Sequence, residues 1–165
     1  MSELRTNRIV PRDGLVSGAS GGVIQVVFFS LATGSTVTVN SSTFVDVLTA
    51  SITPTRSDSK ILVQVTSAPK TNGSSSNFQF GAQIQRDSTT IMYDNEYLQM
   101  NNGYAPNAFT GAYTVLDSPA SSSSLTYKFR VKETVDGREL YFENSTDNTG
   151  NYYNKHTMTL MEISG

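Results

Sequence analysis

The 165-residue chain contains no cysteine. That absence removes disulfides, thiolate metal sites and thiol nucleophiles together. It also favours assembly in a reducing cytosol, since an exported domain of this size could have used bridges. With His156 as the only histidine, Ser–His or Cys–His nucleophilic catalysis has almost nothing to work with, and a zinc site is not expected. His156 stands at the entrance to the last strand and reads as a surface or capped side chain. Charged residues make up 16% of the chain and the net charge is −2. Nucleic-acid binding relies on clustered Lys and Arg, so no nucleic-acid partner is expected. No run approaches the roughly 18 apolar residues of a membrane helix, so no membrane insertion is expected. Met1 to Pro11 is polar, carries Arg5 and Arg8 and has no apolar stretch behind it, so no signal peptide is expected. No window repeats its apolar residues with a helical period.

What is present is 37% hydrophobic content, 12 glycines against 5 prolines, and gaps crowded with Ser, Thr and Asn. Such residues favour turns and strands over helix interiors, so the chain reads as all-β. Its length suits one domain plus an arm, because a chain this size buries roughly 70% of its unfolded surface. The clearest stretch is Ser51 to Thr66. There Ile61, Val63 and Val65 alternate with Leu62, Gln64 and Thr66, which predicts a strand with one face in a core and the other half covered. Pro54 closes the preceding strand and Thr55 to Ser59 turn, so the two strands are expected to form a hairpin with a longer loop.

Residues 1–22 differ from the rest. Arg5, Arg8 and Arg12 alternate with Glu3 and Asp13 around Ile9, Val10 and Pro11, and a Gly- and Ser-rich connector follows. Two readings stand: a fraying terminus, or an arm that docks on a neighbouring subunit or larger particle through Ile9, Val10 and Pro11. Residues 23–165 form the second unit. Val23 to Leu31 is almost continuously apolar and is predicted to be buried on both faces. Gly34 is expected to start a short strand through Val39. Thr43 to Thr53 is a strand whose alternation breaks near Leu48, which suggests a bulge. Lys70 to Ser76 and Asn144 to Lys155 read as polar loops.

Phe78, Phe80, Ala82 and Ile84 alternate with Gln79, Gln83 and Gln85, giving a strand with one amide-rich face that could line a symmetry axis. After the Arg86-Asp-Ser turn, Thr89 to Tyr93 is a short return strand. Ala108 to Leu116 and Leu125 to Lys132 alternate in the same way. Asp136-Gly137 is expected to be a hairpin turn into Leu140 to Glu143. Thr157 to Ile163 is apolar on both faces, as in a strand at mid-sheet or at a subunit contact. About eight to ten strands with polar turns predict an antiparallel two-sheet sandwich, jelly-roll-like, with an extended N-terminal arm.

The chemistry-bearing residues are few. Asp94 and Glu96 would share a face on a continuous strand, and Asp136 and Glu139 flank a turn. Acid pairs serve glycosidases, but nothing marks an acid in an apolar pocket, and no catalytic residue is assigned. Asp94-Asn-Glu96 and Asp147-Asn148 lack an EF-hand spacing, so neither metal nor cofactor is assigned. Tyr93, Tyr97, Tyr104 and Phe109 bracket Asn101 and Asn102, while Tyr152 and Tyr153 sit in the other long loop. Tyr rings offer an apolar face to a sugar and amides bond its hydroxyls, so these residues are candidates for glycan binding. The competing reading places the tyrosines in the core or at an oligomer interface.

Asn7-Arg8-Ile9-Val10-Pro11, a Gly-rich link and Gly-Gly-Val-Ile-Gln-Val-Val27 resemble the opening of small virion proteins of tailed phages, especially marine and cyanobacterial ones. Ser51-Ile-Thr-Pro54, Ser59-Lys-Ile-Leu-Val63, Gln85-Arg-Asp-Ser-Thr89, Leu116-Asp-Ser-Pro119, Tyr127-Lys-Phe129 and Met158-Thr-Leu-Met-Glu-Ile163 resemble the same group. The resemblance implies a non-enzymatic structural or receptor-contacting virion protein, commonly a homotrimer, assembled in the host cytoplasm. The arm, with Arg5, Arg8, Ile9, Val10 and Pro11, would attach it to other virion proteins. Its Asn- and Tyr-bearing loops would meet host surface polysaccharide. A capsid decoration protein is the alternative, and a glycan-degrading tailspike stands behind both.

Overall fold

A computed structural model describes residues 22–72, 78–100, 110–135, 139–146, 152–153 and 156–165. In chain order the strands are β1 (Val23–Ser30), β2 (Thr36–Val39), β3 (Val45–Ile52), β4 (Lys60–Ser67), β5 (Lys70–Asn72), β6 (Phe78–Arg86), β7 (Thr89–Met100), β8 (Gly111–Asp117), β9 (Leu125–Val135), β10 (Glu139–Glu143), β11 (Ser145–Thr146), β12 (Tyr152–Tyr153) and β13 (Thr157–Ile163). Eight of them build two four-stranded antiparallel sheets, β1-β13-β4-β8 and β3-β9-β6-β7, arranged as a sandwich. β1 pairs with β13, β3 with β9, β4 with β8 and β6 with β7, the pairings of one long hairpin folded over onto itself. A small sheet, β2-β10-β5, is built from the segments that carry the chain between the two large ones, and β11 pairs with β12.

Alternation explains which side chains fill the space between the sheets. Ile61, Val63, Val65, Met158 and Leu160 point inward from the first sheet. Phe80, Ala82, Ile84, Tyr127, Phe129 and Val131 meet them from the second, and Leu140 and Phe142 close one side. The bulge expected near Leu48 is present: the register of β3 against β9 shifts between Asp46 and Leu48. β13 lies between β1 and β4, at mid-sheet.

Several expectations need correction. Ser51 to Thr66 is not a hairpin: β3 and β4 belong to opposite sheets, and the turn through Pro54 carries the chain across the sandwich. β1 is not buried on both faces, since Val26 and Phe28 are 56% and 64% exposed. It is an edge strand, and only its inward residues, Val27 and Phe29, pack on the core. β10 pairs with β2 and β5 and not with β9; the turn assigned to Asp136-Gly137 lies outside the described residues. β7 runs on to Met100, well past Tyr93. Lys70–Asn72 and two short strands fall in segments read as loops. Gly34 is a turn residue with φ of 79°, a left-handed conformation that glycine adopts without strain, and β2 begins only at Thr36.

Three polar clusters tie the frame together. At one end, Arg86 of β6 donates to both Asp117 oxygens at 2.8 and 2.6 Å, and the buried Tyr127 hydroxyl donates to the same carboxylate at 2.7 Å. Burial, and then the adjacent Asp117, push the Tyr127 phenol far above its ordinary pKa. At the Pro54 crossing, Glu162 accepts from Gln25 Nε2 at 2.6 Å and from the Thr55 amide and hydroxyl, both at 2.8 Å. Under β10, the fully buried His156 accepts at Nδ1 from the Ala68 amide (3.3 Å) and from Ser67 Oγ (2.9 Å). Its Nε2–H donates to the Glu143 carbonyl at 3.2 Å, and its ring meets that of Phe142 edge-on. His156 is therefore a capped core residue and not a surface one.

Candidate functional site

The outer face of the second sheet carries the one tyrosine candidate whose surroundings are described in full. The ladder register places Tyr93 of β7 opposite Gln83 of β6, Gln83 opposite Arg130 of β9, and Arg130 opposite Asp46 of β3. Partners facing each other across antiparallel strands share a face, so this row crosses the whole sheet. Tyr93 is 52% exposed. Its hydroxyl donates to Asn95 Oδ1 at 2.8 Å, and its ring meets Phe44 edge-on at 6.1 Å between centroids.

Two cations lie against this aromatic pair. Lys132 Nζ is 5.1 Å from the Phe44 ring centre and 5.7 Å from that of Tyr93. Both distances lie within the range of a cation–π attraction. Among the described residues Lys132 has no carboxylate partner. The Arg130 guanidinium is committed: it donates to Asp46 at 2.6 Å, to Gln85 Oε1 at 3.1 Å and to the Phe44 carbonyl at 3.3 Å. Lys128 also donates to Asp46, at 2.6 Å. Burial pulls the Asp46 carboxyl up, but Lys128 and Arg130 outweigh it and hold the group below the usual carboxylate range. Gln83 is the buried member of the row; its amide nitrogen donates to Thr90 Oγ1, and its carbonyl oxygen has no donor among the described residues.

The result is a patch with an aromatic platform, amides beside it and a lysine that, among the described residues, is not paired with a carboxylate. Gly81 lies opposite Lys132, and a Cβ there would come within 3.3 Å of the Asp94 carbonyl oxygen on β7. Such a patch can stack on the apolar face of a sugar, bond hydroxyls through amides and attract a carboxylate.

The remaining candidates stand elsewhere along the chain or fall outside the described residues. Tyr97 lies further along β7, while Tyr152 and Tyr153 form β12 in the separate β11-β12 pair. Asn101, Asn102 and Tyr104 lie outside the described residues, as do Arg5, Arg8, Ile9, Val10 and Pro11. Asp94, half of the acid pair, accepts from the Tyr113 hydroxyl at 2.5 Å across the two sheets. Among the described residues no group of three or more histidine or carboxylate side chains could hold a metal ion. Phe44, Arg130 and Lys132 are the members of the patch that sequence reasoning missed, because they sit far from Tyr93 in the chain and only strand pairing brings them together. No known protein-family model matches the chain, and no curated protein matches it.

Proposed function

We propose that this chain is a non-enzymatic structural protein of a tailed-phage virion, a tail-fibre or surface-appendage domain with a jelly-roll-like sandwich. In this reading it assembles as a homotrimer, residues 1–22 attach it to other virion proteins, and the Tyr93 patch contacts host surface polysaccharide. The observation that carries the binding role is the half-exposed Tyr93 beside Phe44, with Lys132 over both rings and, among the described residues, no carboxylate paired with it. An acidic polysaccharide suits that combination, since its sugars stack and its carboxylates pair with the ammonium. The test is titration of the intact chain with purified host polysaccharide. Saturable binding is expected, weakened about tenfold by Tyr93→Ala, the loss of one stacked ring (roughly 1.4 kcal/mol). Binding that is absent, or unchanged in Tyr93→Ala, would remove the patch from the account.

Capsid decoration is the second reading. What favours it is the other outer face of the sandwich, which is apolar where the Tyr93 face is charged, as a surface that cements protein to protein would be.

A further inference from the structure

The outward residues of β1-β13-β4-β8 form an unbroken apolar row. Val26 lies opposite Met161, Met161 opposite Leu62, and Leu62 opposite Leu116, so one row spans all four strands. Phe28 stands in the next row at 64% exposure, and Val26 and Leu116 are 56% and 53% exposed. Around them the face is Thr159, Gln64 and Thr114, and its one charge in the paired rows is Lys60 at a corner. The opposite outer face carries Asp46, Lys128, Arg130 and Lys132. A sheet needs one buried face; this one has a core side and then a second apolar side that the described residues leave uncovered. β1 is also an edge strand of eight residues with no charge and no proline, so nothing in it opposes contact with another chain.

We infer that this face joins copies of the protein to one another, with Phe28, Val26, Met161, Leu62 and Leu116 at its centre. A second copy is the occupant the chemistry fits. The face is self-complementary because it holds no array of like charges to repel its own image. In projection it measures about 23 Å along the strands and about 19 Å across them, from spacings of roughly 3.3 Å per residue and 4.8 Å per strand. Two such faces therefore bury at least about 900 Å², at the small end of specific interfaces. Like faces that meet make a two-fold pair, so the association is reversible and concentration-dependent, and it is a different contact from the three-fold one of the proposed homotrimer. This surface is distinct from the Tyr93 patch, so both can be used at once.

Sedimentation of the full chain across a wide concentration range tests the inference. The unmodified protein should sediment as a multiple of its 17.9 kDa mass. Phe28→Lys and Leu116→Lys should each weaken association at least tenfold while leaving the strand circular dichroism unchanged, because both side chains are more than half exposed. Thr49→Lys, on the opposite outer face, should leave the mass unchanged. Assembly that survives both lysine variants would overturn the inference. So would a monomer at every concentration, and if its β1 amides also resisted hydrogen exchange, residues 1–21 of the same chain would be the occupant. A monomer at every concentration would also remove the homotrimer from the proposed function but would leave polysaccharide binding and virion location untouched, whereas loss of pairing in the lysine variants alone would bear on this face only.

Discussion

Replacing Glu162 by glutamine changes one atom and tests how the Pro54 crossing is held. The carboxylate is fully buried and accepts three bonds, from Gln25 and twice from Thr55, each 2.8 Å or shorter. An amide in its place turns an NH2 toward one of those donors. Gln25 could turn over to accept it, but would then give up its 2.7 Å bond to the Thr53 carbonyl. A hydrogen bond to a charged group is worth roughly 1.5–3 kcal/mol, so a loss of about 2–3 kcal/mol is expected. For a domain of this size that lowers Tm by about 5–10 °C. The pH dependence adds a second check. Burial pushes the Glu162 carboxyl up, but Ser59, Gln25 and Thr55 around it outweigh that and bring it below its ordinary value. The unfolded chain then takes up this proton at a higher pH than the folded one. The carboxylate's contribution is thus complete above the unfolded pKa of about 4.3 and is lost as pH falls through the folded value. Thermal unfolding followed by circular dichroism should show the gap between the two proteins in full at neutral pH and narrowing below about pH 4. A gap under about 1 kcal/mol at neutral pH, or one indifferent to acid, would refute the assignment of Glu162 as the anchor.

Two further outcomes follow from the buried polar groups. Burial lowers the His156 pKa, only partly offset by the Glu143 carbonyl, so the unfolded chain binds this proton first. Stability should therefore fall as pH drops below about 6.5, by up to 1.4 kcal/mol per unit, and urea titrations of His156→Gln should lack that slope. Asp117→Asn leaves the part-buried Arg86 without a carboxylate and weakens the bond from Tyr127. A loss of about 3 kcal/mol is expected, read as a lower urea midpoint at unchanged slope, whereas an unchanged midpoint would show that the clamp contributes nothing.

Period-two patterns made the individual strands legible. Ile61, Val63 and Val65 are buried as their alternation implied, and the lapse near Leu48 is a real bulge. The partnership of strands was not legible, because alternation says which face is apolar and nothing about the neighbour. β3 and β4 are close in sequence yet sit in opposite sheets, while β1 and β13 pair from the two ends of the described chain. β1 misled for a related reason: a strand apolar on both faces looks central whether its second face meets the core or the outside. The Tyr93 patch was half legible. Tyr93 and the glutamines of β6 stood out as an aromatic and amide-rich pattern, but Phe44, Arg130 and Lys132 join them only through the register of four strands.

The most direct test of the proposed function is to look for the protein on intact tailed-phage particles, with gold-labelled antibody against the folded domain. Label at the tail periphery is the predicted result and makes polysaccharide binding through Tyr93 the next quantity to measure. Label over the head would contradict the appendage reading and leave decoration in its place. No label on any particle, with the epitope shown to be accessible, would contradict the virion assignment itself.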